Sequence, residues 1–170
     1  MEPPEVIRIH PVPHRLAEVH QVGFPLDDPY VEQVWSCFTG PSATLMLRRM
    51  PVLWSHDQPA TVQLSEFGRS LGLLRPTITY RSVDRLARFG LARWLPSGDL
   101  AVATRVAPLS ARQLERVPSW TRQAHDQLLG AHLDRLAARP TATDHDLTWI
   151  NARLDQLEHR HATPHRGLSR

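Results

Sequence analysis

Arginines are concentrated in the middle of the chain, between Arg69 and Arg93. This segment holds six arginines and one acidic residue, Asp84, so its charge is +5 (six minus one) in a chain of net charge +3. The rest of the chain therefore sums to −2 (+3 minus +5). Guanidinium groups donate hydrogen bonds to phosphate oxygens and, two at a time, to the edge of guanine. The segment therefore predicts binding to a polyanion such as nucleic acid.

Three of these six arginines lie on or at the edge of one face of a predicted helix over residues 75–89. At the α-helical period, a buried sector of about 140° contains Ile78, Ser82, Val83, Leu86 and Phe89. The opposite face carries Thr77, Tyr80, Arg81, Asp84 and Arg88, with Arg85 at its edge. Guanidinium, hydroxyl and aromatic groups on one exposed face suit the major groove of DNA.

Two other interpretations of the arginines remain open. Charged runs commonly do no more than keep one face of an ordinary helix in water. The same face could instead bind an acidic protein partner, in which case the domain would be a protein-interaction module that makes no direct contact with DNA.

The elements that must position this helix are predicted from turn signals and periodicity. Residues 61–106 indicate, in order, a short strand, a helix, a turn, the helix over 75–89 and a hairpin. Gly90 occupies the position where helices usually end in left-handed geometry. Turn-forming residues at 96–99 separate the two hairpin strands, predicted at 91–95 and 100–106.

Residues 64–93 resemble the DNA-binding core of winged helix-turn-helix regulators, most closely the MarR-like group. The resemblance is carried by Leu71-Gly72-Leu73, by Arg75-Pro76-Thr77, and by Arg85-Leu86 followed by Phe89-Gly90-Leu91. Two residues depart from the family pattern. Leu74 stands where a Ser or Thr normally caps the recognition helix. Asp84 would repel phosphates unless it pairs with Arg88 at i+4 or accepts a hydrogen bond from cytosine. The hairpin tip also lacks arginine, so contacts from this wing would come from Arg93 or Arg105 at its base.

The resemblance implies a bacterial transcriptional regulator whose recognition helix, at about 75–89, enters the major groove of double-stranded DNA. The candidate DNA-binding residues are Arg69, Arg75, Thr77, Thr79, Tyr80, Arg81, Asp84, Arg85, Arg88, Arg93 and Arg105.

The predicted fold class is α+β: mainly α with a small β-hairpin, a winged helix-turn-helix flanked by N-terminal and C-terminal helices. Four segments are expected. They are a proline-rich N-terminal arm at 1–28, the winged helix-turn-helix domain at 29–108, C-terminal helices at 109–161 and a flexible tail at 162–170.

Local signals place the outer elements. The arm is expected to form one strand over Val6–Ile9, and Val19, Val22, Phe24 and Leu26 are expected to pack it on the core. Gly40-Pro41 should end a first helix that starts at Pro29, and Pro51 should kink or break a second one. Ser110 is a predicted N-cap, followed by helices to 117 and over 119–139.

The last predicted helix, from Thr143 to about His161, carries an apolar stripe of Leu147, Ile150, Leu154 and Leu157. This stripe spans only two heptads, so it could be covered either within one chain or by a second subunit. Because one recognition helix reads only a few base pairs, we expect a homodimer.

Several function classes lack a signal in the sequence. There is no phosphate-binding glycine loop, nucleophile elbow or paired metal-ligand motif, so no catalysis, cofactor or metal is expected. The single Cys37 and the absence of a long apolar run predict a cytoplasmic, nucleoid-associated protein that does not enter membranes. All 20 basic residues are arginine, which is typical of a GC-rich bacterial genome. A small-molecule effector is possible in this architecture but has no support in the sequence.

Overall fold

A computed structural model of the chain describes residues 5–138, 148–150, 152–153 and 155. Its strands are β1 (Val6–Val12), β2 (Phe24–Pro25), β3 (Ala60–Gln63), β4 (Ala92–Trp94), β5 (Leu100–Ala103) and β6 (Arg105–Val106). Its helices are α1 (Ala17–Val22), α2 (Ser36–Trp54), α3 (Leu64–Ser70), α4 (Pro76–Arg88), α5 (Ala111–Leu114) and α6 (Ser119–Ala137). Helices predominate over a small sheet, which confirms the predicted α+β class.

The larger sheet has the strand order β3-β1-β5-β4, so the N-terminal strand lies inside it. β1 pairs antiparallel with β3 and parallel with β5, and Ile9 is opposite Ala60 on one side and Leu100 on the other. Ile7 and Ile9 are both buried, as period-two alternation requires.

β1 extends beyond the predicted strand of residues 6–9 and reaches Val12. This extension includes Pro11, which pairs only with β5, because the ladder with β3 ends at Ile9. Proline has no N–H to donate. It is tolerated here because one side of the strand has no neighbouring strand whose carbonyl would need that donor.

The rest of the N-terminal arm packs on the core as predicted: Val19, Val22, Phe24 and Leu26 are all buried. The arm also contains the short helix α1, and β2 pairs antiparallel with β6. The Phe24 ring stacks on the Tyr30 ring with 3.8 Å between centroids.

The helical stretch after the arm breaks at Gly40, where φ is 73° and ψ is 163°. A π-helical segment over Val31–Trp35 leads into it. The predicted interruption at Gly40-Pro41 is therefore confirmed. The predicted break at Pro51 is wrong, because α2 continues to Trp54 and its only non-helical residue is Gly40. Pro51 removes only its own donor to the carbonyl four residues earlier, and the helix continues past it, since the Ser55 N–H donates to the Pro51 carbonyl (3.0 Å).

Helices α3 and α4 approach closely at Gly68. A Cβ atom added there would overlap Thr79 Oγ1 and lie 3.1 Å from Thr79 Cβ. The turn between the helices is closed by the Leu73 N–H, which donates to the Gly68 carbonyl (2.9 Å), and Gly72 adopts a φ of 78°. Gly68 therefore sets the spacing between α3 and α4.

The chain divides into two compact units, Met1–His125 and Asp126–Arg170. All six strands and helices α1 to α5 belong to the first unit, and the boundary falls within α6. The predicted boundaries at 28 and 108 therefore fall inside the first unit, and the four-segment organisation stays a prediction.

Ser110 caps α5 as predicted, in a capping box with Gln113. In the predicted last helix, Ile150 is fully buried within the single chain. The other three stripe residues, Leu147, Leu154 and Leu157, lie outside the described residues.

Gly68→Ala should destabilise the protein by about 1 to 3 kcal/mol, because the new methyl group overpacks against Thr79. Gly130→Ala is the matched control. Nothing lies within 4 Å of a Cβ atom at Gly130, which is inside α6, so alanine there should be neutral or slightly stabilising. Urea denaturation of both variants measures the difference, and equal stabilities would show that Gly68 does not set the α3–α4 spacing.

Candidate nucleic-acid interface

Helix α4 divides into a buried and an exposed face, as the arginine pattern predicts. The buried positions are Thr79, Ser82, Val83 and Leu86, and they pack toward the interior of the first unit. The exposed side includes Thr77, Ile78, Arg81, Asp84, Arg85 and Arg88. The helix starts at Pro76, so its N-cap residue is Arg75 and not Leu74, and no side chain caps it.

Thr79 is not available to a ligand, so its assignment as a DNA-binding residue is wrong. Only 1% of it is exposed, and its hydroxyl has no hydrogen-bond partner in the described part of the chain. On the helical wheel Thr79 falls between Leu86 and Val83, inside the buried sector. Ile78, assigned to the buried face, is instead 38% exposed at the edge of that sector, and Phe89 is half-buried.

Five arginines on or next to α4 are exposed and uncompensated: Arg75, Arg81, Arg85, Arg88 and Arg93. None of them makes a side-chain hydrogen bond or an ion pair with a residue that the structure describes. Arg69 is different, because it forms an ion pair with Glu66 one turn earlier in α3. We refer to Arg75, Arg81, Arg88 and Arg93 as the arginine face.

Arg85 lies over the break in α2. A Cβ atom added at Gly40 would be 3.0 Å from the Nη1 atom of Arg85. This guanidinium therefore lies beside α2, at the edge of the exposed face of α4.

Asp84 is engaged by the hairpin. Its Oδ1 atom accepts a long hydrogen bond (3.4 Å) from the indole N–H of Trp94 in β4. The i, i+4 spacing in the sequence suggests an ion pair with Arg88, and among the described residues no such pair forms. Asp84 therefore connects α4 to the hairpin as well as placing a negative charge beside the arginine face. Tyr80, also a candidate, is half-buried.

Arg105 does not belong to the free arginines at the base of the hairpin. It is half-buried in β6, and its Nη1 atom donates a 2.7 Å hydrogen bond to the Gly23 carbonyl. This bond holds β6 against the N-terminal arm. Of the two predicted wing arginines, only Arg93 is exposed.

The turn of the hairpin is fixed to β1 by a contact that sequence reasoning missed. The Asp99 carboxylate accepts hydrogen bonds from Arg8 Nη2 (2.8 Å), the Arg8 backbone N–H (3.2 Å) and the Ser97 hydroxyl (2.9 Å). His10 Nε2 lies 3.6 Å from the same carboxylate. The sequence around Asp99 indicates only a turn former, and its partner Arg8 is 91 residues away, so no local signal points to this contact.

Comparison of the chain with family models, curated proteins and solved structures found no match. Within the described residues, no three or more His, Cys, Asp or Glu side chains are grouped as metal ligands would be. In the same part of the chain, every helix is too short or too polar to cross a bilayer.

The Asp99 contact gives stability a specific dependence on pH. The hydrogen bond from Arg8, assisted by Ser97 and opposed by burial, lowers the pKa of Asp99 from 3.8 to about 2. A carboxylate whose pKa is depressed by folding stabilises the protein above its unfolded pKa, and this contribution is lost as the pH falls through the folded value.

Asp99→Asn should therefore be less stable than the wild type at pH 7, and the difference should shrink between pH 4 and pH 2. Urea denaturation at several pH values in this range measures it. The control is Asp57→Asn, at an exposed aspartate that has no side-chain partner among the described residues. If the difference in the free energy of unfolding between wild type and Asp99→Asn stays constant down to pH 2, the assigned contact is contradicted.

Proposed function

We propose that this protein binds double-stranded DNA through the arginine face and acts as a transcriptional regulator. In this proposal α3 and α4 form a helix-turn-helix, α4 is the recognition helix, and the β4–β5 hairpin is the wing. The observation that carries the proposal is the row of four exposed, uncompensated arginines on and beside a helix whose other face is buried.

The dimensions of α4 fit this role. Its 13 residues span about 20 Å at the α-helical rise, and a major groove about 12 Å wide admits a helix of this kind. Arg81 and Arg88 lie two turns apart on one side, about 10 Å along the axis. Arg75 and Arg93 lie before and after the helix, where they would contact phosphates on either side of the groove.

Electrostatics supports a polyanion as the ligand. Four guanidinium groups that form no ion pair and have one carboxylate, Asp84, beside them repel one another, and this repulsion is relieved when a polyanion binds. Asp84 would oppose phosphate binding, but its bond to Trp94 directs one of its oxygens toward the hairpin. In the groove, its remaining acceptor capacity matches the amino group of cytosine.

We also propose that the protein binds as a homodimer, because a single recognition helix contacts too few base pairs for high specificity. Ile150 is buried within one chain, so a dimer interface cannot rest on this residue of the apolar stripe. The remaining stripe residues lie outside the described residues, and the proposal rests on the two-fold symmetry of DNA sites.

Duplex binding should depend steeply on salt. If each subunit neutralises about four phosphates, one for each arginine of the face, log K should fall with a slope of roughly −3.6 per subunit against log salt. Fluorescence anisotropy with a duplex selected from a random library, titrated at several salt concentrations, measures this slope. An affinity that does not change with salt would contradict the proposal, and tight binding to an acidic protein without any duplex binding would favour the protein-interaction alternative.

Two variants within the same experiment separate the roles of the arginines. Arg93→Ala should weaken all duplexes alike and reduce the slope by about one unit, because a phosphate contact carries no sequence information. Arg81→Ala or Thr77→Ala should instead relax discrimination at particular base pairs by about 1 to 3 kcal/mol. The reverse pattern, with Arg93 setting the sequence preference, would show that α4 is not the recognition helix.

The dimer proposal predicts a complex that contains two chains of 19.3 kDa on one duplex. Its site should be palindromic, with half-site centres separated by about 10 base pairs, one turn of DNA. Light scattering of the free protein and of the complex at micromolar concentration measures the stoichiometry. A monomer bound tightly to a single non-palindromic site would rule the dimer out.

A further inference from the structure

Leu74 is 82% exposed, more than any other large hydrophobic residue that the structure describes. It directly precedes Arg75, in the turn that leads into α4. Ile78, in the first turn of α4, is also exposed, at 38%. The start of the proposed recognition helix therefore presents two large aliphatic side chains to solvent.

The fold does not need a leucine at this position. Backbone hydrogen bonds close the turn and the first turn of the helix: Leu73 N–H donates to the Gly68 carbonyl and Ile78 N–H to the Arg75 carbonyl, both at 2.9 Å. Pro76 sets the start of the helix through its fixed φ. Leu74 precedes the N-cap residue, Arg75, and its side chain lies in solvent, so a polar residue would satisfy the same geometry.

The charges next to Leu74 and Ile78 indicate which kind of ligand could bury these two side chains. Arg75 is adjacent to Leu74 in the chain, and Arg81 is one turn from Ile78; both are exposed and uncompensated. A ligand for this surface must therefore be anionic and must also carry small apolar groups. Duplex DNA meets both requirements, because the C5 methyl group of thymine projects into a groove bordered by phosphates.

We propose that Leu74 and Ile78 are specificity-determining residues that contact thymine methyl groups in the major groove. This inference rests on the proposed function and adds to it the chemical feature that is recognised at the start of α4. Discrimination of this kind uses burial of apolar surface and no hydrogen bond. It is therefore lost when the methyl group is removed, even if every donor and acceptor of the base pair is kept.

The experiment removes the methyl group alone. The full-length chain is titrated with the duplex that it selects from a random library, and with copies in which single thymines are replaced by uracil. This replacement keeps every hydrogen-bonding group of the base pair. At one or more positions, wild-type affinity should fall about fourfold, the factor for leaving one methyl-sized group unburied.

The decisive measurement is whether the effect of the uracil replacement depends on the side chain at position 74. At the thymine that Leu74 contacts, Leu74→Ala should bind the thymine duplex about as weakly as wild type binds the uracil duplex, and should itself be insensitive to the uracil replacement at that position. Because Leu74 is 82% exposed, its replacement should leave stability unchanged, which thermal unfolding checks. Leu16→Ala is the matched control, since Leu16 is 51% exposed but lies in the N-terminal arm, and it should keep the full uracil effect.

The outcomes separate this inference from the proposed function. Equal uracil effects in wild type and Leu74→Ala at every thymine would overturn the methyl contact of Leu74, while duplex binding itself stood. No duplex recovered from the library would overturn both. Binding to vesicles with anionic headgroups that depends on Leu74, in the absence of duplex binding, would assign the surface to a lipid membrane and would also overturn the inference.

Discussion

The pairing of β1 between β3 and β5 is the constraint on which the candidate interface depends. β3 runs directly into α3, and β5 is the second strand of the hairpin that follows α4. A strand from the N-terminus therefore joins the element before the helix pair to the element after it. Because both ends of the segment 60–103 are fixed to one strand, α3 and α4 are held in place by the sheet as well as by their own contact at Gly68.

The orientation of α4 follows from what its inner face buries. Val83 and Leu86 are buried, and Thr79 fits against a glycine, so rotation of the helix would expose apolar surface or force Thr79 into α3. Arg81 and Arg88 therefore point outward because of how the core packs. No contact made by their own side chains is required. Two further contacts fix the position of the hairpin. The Asp84–Trp94 contact connects it to α4, and the Asp99–Arg8 contact connects it to β1.

The order of elements over 60–103 could be predicted from the sequence, because it depends on local signals: turn residues, a left-handed glycine at Gly90 and a clear helical period in α4. Long-range contacts could not. Nothing near Val6 in the sequence indicates that its strand inserts beside β5, and nothing near Asp99 indicates Arg8. The residue type of Thr79 suits DNA, but its position on the wheel lies among the buried residues, so periodicity is the better guide where the two signals conflict.

Core packing and the exposed face of α4 place opposite demands on the same helix. Packing favours apolar residues and closely spaced helices, whereas the outer face gathers like charges and leaves Leu74 in water, both of which raise the free energy of the unbound protein. Neither feature is needed to form α4, whose first turn is already defined by Pro76 and backbone hydrogen bonds. In the proposed complex with DNA these same groups would become favourable, because phosphates would neutralise the arginines and base methyl groups would cover the leucine. Leu74 is next to Arg75 in the chain, so an exposed leucine and an unpaired charge meet at the start of α4, and together they support the proposed ligand there more strongly than either feature alone.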